Sequence, residues 1–309
     1  MNVIYNGADV TSSVQPIALQ LTDNAGGKPD SLITIFSDTE GLWGQWRPAK
    51  NDTFQVREKG YDTGLMYIDE LSQGPGVFQI KALSIPQPSK TARSQSWEDV
   101  RFLEFVTQIA ARYGFSVQTY NIINHHYARV DQQEEADFAF LAYRCMLEGY
   151  ALKINNRSLV IYDEATEEQK AIDSQSAIIR KNDIIGDFLF KDKSIDIYAK
   201  CLIQSQTLNE YLQGEFTALG VNGPTLKRNV FASNQAEASR WAKGFLRSFN
   251  KQMVTGSFAI NLNMNYAAGT TIEVRDTGMF DGKYFIDWLV HDLINSKTKL
   301  SLRRPLEGY

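Results

Sequence analysis

The chain has few of the residues on which most catalytic and metal sites depend. Its 309 residues include only two cysteines and three histidines, and the 32 Lys and Arg are nearly balanced by 36 Asp and Glu. The net charge of −4 gives no sign of a nucleic-acid backbone as partner. No apolar run approaches the ~20 residues that a membrane-spanning helix needs. The amino terminus has no basic region followed by an apolar run, so we expect no secretory signal.

The cysteines and histidines form no recognisable catalytic or metal-binding motif. Cys145 lies in a helical pattern and Cys201 in a strand pattern. Without a secretion signal we expect two buried thiols, although the sequence does not exclude a disulfide. His125 and His126 are neighbours in a predicted loop and would point to opposite sides of a strand. Since HExxH, CxxC, GxSxG and phosphate-loop motifs are also absent, we predict no catalytic residue, no metal site and no cofactor.

Two segments of the sequence resemble each other. They are NDTFQVREKGYDTGLMYIDEL (51–71) and GTTIEVRDTGMFDGKYFIDWL (269–289), which align without a gap at a constant offset of 218 residues. The matched positions include Gly64 with Gly282 and Asp69 with Asp287. Both copies alternate apolar and polar residues around a glycine-containing turn, which is typical of an antiparallel meander. Chance similarity is the alternative, but the matched strand phase, glycine and Ile-Asp pair favour a duplication.

Carboxylate pairs such as Asp69-Glu70 and Glu134-Glu135 are interpreted as surface groups, because the chain is rich in acids. Asp69 and Asp287 differ from the rest because they recur at equivalent positions of the repeat. We expect them to have a role in the fold, such as bonding a turn backbone, rather than in catalysis.

The stretch between the copies has its own pattern. Residues 87–94 are predicted to be a linker, and Ser96 with Asp99 predicts the start of a helix that ends at Gly114. Asp131 with Glu134 predicts the start of a second helix, and a hairpin is expected to turn at Asn155-Asn156. Together these elements predict a small α/β module.

The remaining part of the chain begins with an acidic run, residues 164–176, which we interpret as a solvated connection. Further strands follow, and Ser233 is predicted to cap one more helix. The predicted domains are a first β-barrel over 1–90, the α/β module over 95–164, and a second β-barrel over 175–309 with an inserted helix at about 234–250.

Aromatic residues offer candidates for an interface. Trp43 and Trp46 lie in EGLWGQWRP, residues 40–48. Trp is enriched at protein interfaces, but packing in the core is the commoner fate of a Trp. Of all segments, this one is our candidate for an exposed contact between subunits.

Four segments, taken in order, resemble the baseplate hub proteins of contractile phage tails. This is the late control protein D family, which has relatives in defective prophages and tailocins. The segments are TGLMYIDELSQGPGVFQIKALSIP, SQSWEDVRFLEFVTQIAARYG, RVDQQEEADFAFL and DGKYFIDWLVHDL. Together they extend the resemblance over nearly the whole chain. One turn departs from the family pattern, because Gly74-Pro75-Gly76 stands where GPP is common.

The resemblance implies an α+β fold with two tail-tube-like antiparallel β-barrel domains and an intervening small α/β module. It implies a homotrimer whose six barrels join a hexameric tail tube to a trimeric central spike. The implied partners are the tail tube protein, the central spike protein and other baseplate proteins, without membrane anchoring. DNA passage through an axial channel fits this picture, but specific nucleic-acid binding does not. The implied location is the baseplate of a virion or tail-like particle, assembled in the bacterial host cytoplasm.

Two other functions remain open at this stage. The chain could be a cell-wall-targeting hydrolase or sugar-binding tail module that uses a cleft between a barrel and the α/β module. It could also be the equivalent hub of a type VI-like injection system. Because the chain shows no further segment for a spike or a cell-wall hydrolase, we expect separate proteins to supply those parts.

Overall fold

The computed structural model describes residues 1–58, 61–172, 177–206 and 211–309. The elements of the first part are β1 (Asn2–Tyr5), β2 (Ala8–Asp9), β3 (Gln15–Asn24), β4 (Ser31–Ser37), α1 (Leu42–Trp46), β5 (Thr53–Glu58), β6 (Tyr61–Asp62), β7 (Met66–Gly74) and β8 (Val77–Leu83). Those of the middle part are β9 (Ala92–Arg101), α2 (Phe102–Arg112), β10 (Ser116–Tyr120), β11 (His126–Ala136), α3 (Asp137–Leu147), β12 (Tyr150–Asn155), β13 (Ser158–Asp163) and α4 (Glu164–Gln169).

The elements of the last part are β14 (Ile178–Arg180), β15 (Ile184–Asp192), β16 (Lys200–Gln206), β17 (Tyr211–Thr217), β18 (Thr225–Asn229), α5 (Gln235–Asn250), β19 (Val254–Asn261), β20 (Thr271–Arg275), β21 (Gly282–Asp292) and β22 (Lys297–Arg303). Short 3₁₀ helices span Thr11–Ser13, Gln87–Lys90 and Lys181–Asp183. None of the helices in the described ranges is both long and apolar enough to cross a membrane.

Strands from the two ends of the chain lie in one mostly antiparallel sheet, which has 14 strands in the described residues. Its main path is β15-β19-β22-β21-β3-β4-β8-β7-β5-β1-β2, with β6, β14 and β20 attached at the sides. The strands form because apolar and polar residues alternate, as in β4 and β8, where every second side chain is buried. We call β1–β8 the first half-sheet, and β14, β15 and β19–β22 the second half-sheet.

Three hydrophobic cores support this arrangement. The first half-sheet surrounds a core that includes Phe54 and Ile80, and the second has a core that includes Phe285. The third core joins the middle sheets, β9-β11 and β10-β13-β12, to the separate sheet β17-β16-β18 and to α5. The helix predicted as an insertion in the second barrel therefore comes with its own three-stranded sheet and shares a core with the middle module. Cys145 and Cys201 are free and buried in this third core, as predicted.

The segment predicted to be a linker and a helix start is mainly a strand. Residues 87–94 form a 3₁₀ helix and the beginning of β9, which continues through Ser96 and Asp99. Pairing of β9 with β11 satisfies the backbone groups of this segment, so no helix is needed to do so. Helix α2 begins only at Phe102, where the Glu104 carboxylate accepts a backbone hydrogen bond of 2.9 Å at the first turn.

The second predicted helix start is wrong for the same reason. Asp131 and Glu134 lie in β11, and α3 begins at Asp137. The Asp137 side chain is fully buried and accepts hydrogen bonds of 3.1 Å from Arg112 of α2. The helix therefore begins where an acid meets a basic partner from another helix.

One turn and one helix cap each lie one residue away from the predicted position. The hairpin between β12 and β13 turns at Asn156 and Arg157, whose φ angles of 44° and 56° are those of a type I′ turn, while Asn155 ends the strand. The cap of α5 is Asn234 rather than Ser233, since the Asn234 side chain accepts the hydrogen bond at the first turn.

The acidic run 164–176 is only partly a solvated connection. Its first residues form α4, in which Glu164 and Glu168 are 8% and 0% exposed. Both carboxylates are ion-paired with Arg303, which explains how two acids of a charge run come to be buried. Residues 173–176, including the predicted start of the second barrel at 175, lie outside the described residues.

Candidate functional site: the junction between the half-sheets

The two sequence copies occupy equivalent places in the two half-sheets. In the first copy Thr53 pairs with Tyr67 across β5 and β7. In the second copy Thr271 pairs with Phe285 across β20 and β21, at the same offset of 218 residues. Each of these strands then pairs with the next one in sequence, β7 with β8 and β21 with β22. The strand pairing is therefore repeated along with the sequence.

Asp69 and Asp287 lie at equivalent β-bulges. The register between β7 and β8 skips Asp69, and the register between β21 and β22 skips Asp287. An extra residue of this kind bends and twists its strand. Asp69 is ion-paired with Lys90, and Asp287 accepts a hydrogen bond of 3.0 Å from Gln252. Their side chains thus bond other side chains at a bend of the sheet.

Gly64 and Gly282 are also equivalent, and both have a positive φ, 70° and 137°. L side chains rarely adopt such angles, whereas glycine does so without strain. At Gly64 a Cβ would in addition lie 2.6 Å from the Cβ of Asn156, so the glycine lets the β12–β13 hairpin approach the first half-sheet. At Gly282 the same space is open.

The half-sheets are joined edge to edge by an antiparallel ladder between β3 and β21. It runs from the pair Asn24–Trp288 to the pair Gln20–Asp292. Backbone hydrogen bonds of 2.9 and 3.0 Å extend it by one residue at each end. We call this ladder the internal junction. It makes one continuous surface from two repeated units, which is the central geometric feature of the chain.

The middle module covers the internal junction. Asp23 of β3 is 6% exposed and is ion-paired with Lys153 of β12, while its second carboxylate oxygen accepts the Ala268 N–H at 2.8 Å. Nearby, the Tyr162 hydroxyl donates to the Ala25 carbonyl at 2.6 Å. The module that separates the half-sheets in sequence therefore holds them together in space.

Asp30 adds a second buried acid here. It is 3% exposed, and its carboxylate accepts the Asn24 N–H at 2.8 Å. Burial and the nearby charge of Asp23 raise the pKa of Asp30 to about 8, although Lys153 acts in the opposite direction. Asp30 is therefore largely protonated at neutral pH.

Comparison with known proteins is informative only at the level of structure, since no protein family and no curated protein matches the sequence. A tail protein from Neisseria meningitidis MC58 matches with a TM-score of 0.75 at 13% identity, covering 98% of this chain and 95% of that one. The 43 kDa tail protein of prophage MuSo2 from Shewanella oneidensis matches with a TM-score of 0.74 at 11% identity, covering 98% of both chains. The chain has the fold of phage tail proteins.

An E. coli protein described as a component of the type VI secretion system also shares this fold, with a TM-score of 0.61 at 9% identity, covering 99% of this chain and 78% of that one. At these identities the similarity is one of fold. The α+β class predicted from the sequence is confirmed, with mostly antiparallel sheets and a few helices.

Within this tail-protein fold, a cleft of about 140 Å³ lies between the end of β3, the middle module and α5. Glu164 and Asp287 lie in its wall. Burial tends to raise the pKa of Glu164, but Lys251, Arg303 and Arg247 outweigh it and lower that pKa to about 2. A carboxyl group with this pKa is ionised at neutral pH, so Glu164 has no proton to give to a leaving group.

The same carboxylates belong to a buried ion cluster centred on Arg303, which is 0% exposed. The Arg303 guanidinium lies 2.5 Å from Glu168, 2.9 Å from Glu164 and 3.4 Å from Asp287. Arg247 of α5 also reaches Glu168, at 3.0 Å. The ion cluster therefore links α4, α5, β21 and β22, and its geometry is that of a structural connection.

A second buried acid, Glu148, fixes α5 to the middle module. Its carboxylate accepts hydrogen bonds from Tyr127 at 2.8 Å, Trp241 at 2.7 Å and Arg240 at 3.0 Å. His125 lies 3.5 Å away. The side chains that donate to Glu148 thus connect two parts of the protein.

The three histidines have different surroundings. His125 faces Glu148, and burial lowers its pKa. His126 is exposed and contacts Asp99 at 2.7 Å. His291 is buried in the internal junction. Across the described ranges, no group of three or more potential ligands is placed to hold a metal ion.

Trp43 and Trp46 lie in α1, beside the first half-sheet. Trp43 is 1% exposed and stacks on Phe78, with ring centroids 5.7 Å apart, so its expected exposure to a partner is wrong. The alternating first half-sheet needs a large side chain to fill its core there. Trp46 is half-buried and contacts Trp43 edge-on at 5.0 Å. A role of Trp46 in an interface stays a prediction.

Sequence reasoning missed β3 and the acids beside it. β3 lies outside the repeated block, so the duplication did not draw attention to it. A signal was present, because Asp23 continues the alternation of Leu19 and Leu21 and is followed by Ala25. An acid at an apolar position of an alternating strand indicates a buried partner.

Proposed function

We propose that the chain is a structural baseplate hub of a contractile phage tail or a phage tail-like particle such as a tailocin. In this proposal three copies form a ring that joins a hexameric tail tube to a trimeric central spike. The observation that carries the proposal is the internal junction, which places two equivalent half-sheets side by side in one chain. Three such chains would present six similar units to a tube and keep threefold symmetry for a spike. The fold shared with phage tail proteins supports it.

The partners in this proposal are further copies of the chain, the tail tube protein, the central spike protein and other baseplate proteins. The protein would assemble in the bacterial host cytoplasm and act in the baseplate of the virion or particle. An axial channel would allow DNA to pass without specific binding, and no membrane anchoring is involved.

The domain division enters the proposal with one change. Residues 1–90 and 175–309 contribute the two tube-like units, and 95–164 form the module between them. We propose that the β16–β18 sheet and α5 belong with this module, since they share its hydrophobic core. The tube-like surface is then built from the 14-stranded sheet alone.

The proposed hub is not an enzyme. This part of the proposal is supported by the cleft beside α5, whose carboxylates are held in ion pairs by Arg303, Arg247 and Lys251. A peptidoglycan-release assay tests it. We expect no release above background, and equal values for the unchanged chain and for Glu164→Gln. Release that the substitution abolishes would favour the hydrolase alternative.

A second candidate is the equivalent hub of a type VI-like injection system. The observation that favours it is the shared fold with the E. coli protein described as a component of the type VI secretion system. Both candidates require the same ring, so the same first experiment applies to both.

That experiment is native mass spectrometry of the purified chain over a dilution series. We expect a species of three times 35.0 kDa that dissociates on dilution. The sample is then mixed with spike protein, which should stabilise the trimer at lower concentrations. A chain that stays monomeric both alone and with spike protein would contradict the proposed hub.

A further inference from the structure

We propose that the free edge of β15 in one copy pairs with the free edge of β7 in the next copy, in the register of the internal junction. This inference rests on the proposed self-association. It adds which strands meet and which residues face each other, and a second copy of this chain is the partner to which it commits.

The first step is that both half-sheets have the same strand order. The first runs β3-β4-β8-β7-β5, and the second runs β15-β19-β22-β21-β20. In this order β15 corresponds to β3, and β7 corresponds to β21. Because the internal junction joins β3 to β21, the same contact repeated once more joins β15 to β7. In the described residues of one chain these two strands are not paired with each other, so the repeated contact would be made between copies.

The second step is that the required edges have no partner strand in the described residues. Among the described strands, β15 pairs with β19 alone. On its second edge β7 has backbone partners at Met66, Tyr67 and Ile68, and in the described residues the stretch from Glu70 to Gly74 is paired on one side only, with β8. A free strand edge offers backbone donors and acceptors to another chain.

The third step sets the register. Equivalent rows of paired residues cross the two half-sheets: Thr22–Ser31–Leu83–Tyr67 in the first, and Lys191–Thr255–Arg303–Phe285 in the second. Lys191 therefore takes the place of Thr22. Since β7 matches β21 at an offset of 218 residues, Ser72 takes the place of Val290. The internal pair Thr22–Val290 becomes the pair Lys191–Ser72 between copies.

The neighbouring pair carries opposite charges. The internal pair Asn24–Trp288 becomes Lys193 opposite Glu70. Both are exposed in the single chain, where Glu70 has only Lys81 at 3.8 Å as an ion-pair partner among the described contacts. Opposite charges facing each other across strands favour this register over its neighbours.

Burial supports the same conclusion. Leu289 and His291 of β21 are 0% and 1% exposed because β3 covers that edge. Their equivalents in β7 are Leu71, which is half-buried, and Gln73, which is exposed. On the other side, β15 leaves Leu189 53% exposed. The two free edges are thus more exposed than the equivalent strands in the internal junction. A second copy paired with them would supply the missing cover.

Pro75 sets the end of the new ladder. It is the equivalent of Leu293, whose backbone N–H donates to Leu19 at 3.0 Å in the internal junction. Proline has no N–H to donate. The ladder between copies therefore ends at Gly74, one hydrogen bond earlier.

Disulfide cross-linking of the full chain tests the register. The proposed pairs are Glu70→Cys with Lys193→Cys and Ser72→Cys with Lys191→Cys. Internal hydrogen bonds at the residues on either side make both positions non-hydrogen-bonded pairs, whose Cα atoms lie ~4.5 Å apart, within disulfide range. The matched controls use the same four substitutions with partners exchanged, Glu70→Cys with Lys191→Cys and Ser72→Cys with Lys193→Cys. The natural cysteines are buried and stay in place.

After mild oxidation we expect the two proposed pairs to give covalent trimers on a non-reducing gel, with a yield about tenfold above that of the exchanged pairs, since diagonal neighbours are farther apart. As a second measurement, Glu70→Lys should raise the concentration at which the trimer half-dissociates by about threefold or more. Adding Lys193→Glu to that variant should bring this concentration back to that of the unchanged chain. Such a rescue would show that the effect comes from the pair of Glu70 with Lys193 and not from the pair of Glu70 with Lys81.

The outcomes separate the two proposals. A chain that is trimeric by native mass but cross-links no better in the proposed pairs than in the exchanged pairs overturns this junction and leaves the hub standing. A chain that is monomeric at every concentration and with spike protein overturns both.

Discussion

Among single residues, the buried acids do most to connect distant parts of this fold. Asp23 and Glu168 are both under 7% exposed, yet each has its partners far away in sequence. Glu168, for example, meets Arg303 and the Leu306 N–H. Alternation or helical spacing within one segment carries no information about such partners. The sequence marked only Asp69 and Asp287, because they recur in the repeat.

The raised pKa of Asp30 predicts a pH effect on stability. Its pKa is about 8 in the folded state and near the ordinary 3.8 when unfolded, so the folded state binds the proton more tightly. The stabilising contribution is complete below pH ~4 and is lost as the pH rises towards ~8. Asp30→Asn has no such proton. Between pH 5 and 8 the unfolding free energy of Asp30→Asn should therefore rise, relative to that of the unchanged chain, by about 3–4 kcal/mol.

Urea unfolding at several pH values measures this gain. The exposed Asp187→Asn serves as the control for removing one carboxyl group elsewhere. A parallel pH dependence for the unchanged chain and Asp30→Asn would contradict the raised pKa.

At the scale of elements, alternation located most strands, but helix boundaries were harder to predict. Ser96 and Asp99 have the spacing of a helix cap, yet they lie in β9 because β11, far along the chain, pairs with it. A local signal is overruled when a remote strand satisfies the same backbone groups. The same competition moved the start of α3 to Asp137.

Helix α5 shows how close packing reverses a propensity. Ala in place of Gly usually stabilises a helix interior by ~1 kcal/mol. At Gly244, however, a Cβ would lie 2.2 Å from the Leu147 carbonyl oxygen and 2.5 Å from that of Met146. Gly244→Ala should therefore push α5 away from α3 and lower the unfolding free energy by about 1–3 kcal/mol.

Gly44→Ala is the matched control, since Gly44 lies in α1 and a Cβ there would have nothing within 4 Å. It should be neutral or stabilising. Both variants are compared by urea unfolding followed by tryptophan fluorescence. Equal effects of the two substitutions would show that α5 tolerates a methyl group at the α3 contact.

At the scale of the whole molecule, the ion cluster around Arg303 ties the second half-sheet to α4 and α5. Arg303→Met removes the cation and leaves Glu168 buried without its nearest partner. Breaking a buried ion pair in this way costs ~3–5 kcal/mol. We expect that loss in unfolding free energy, together with a transition that separates into two steps, because the second and third cores lose their link.

Far-UV circular dichroism and tryptophan fluorescence, followed together in urea, measure this loss. Arg57→Met is the control, since Arg57 pairs with Asp62 on the surface and should change stability by less than ~1 kcal/mol. Coincident single transitions for Arg303→Met at the midpoint of the unchanged chain would contradict the role of the ion cluster.

The cover over the internal junction has a mechanical consequence for a ring. Inside each chain the internal junction is held from outside the sheet, because Lys153 and the Ala268 N–H both bond the Asp23 carboxylate. At the proposed junction between copies the equivalent of Asp23 is Asp192, which is exposed and makes no such contact among the described residues. Junctions with and without this contact would then alternate around the ring. Under load the junctions without this contact would part first, so the proposed ring would come apart into whole chains.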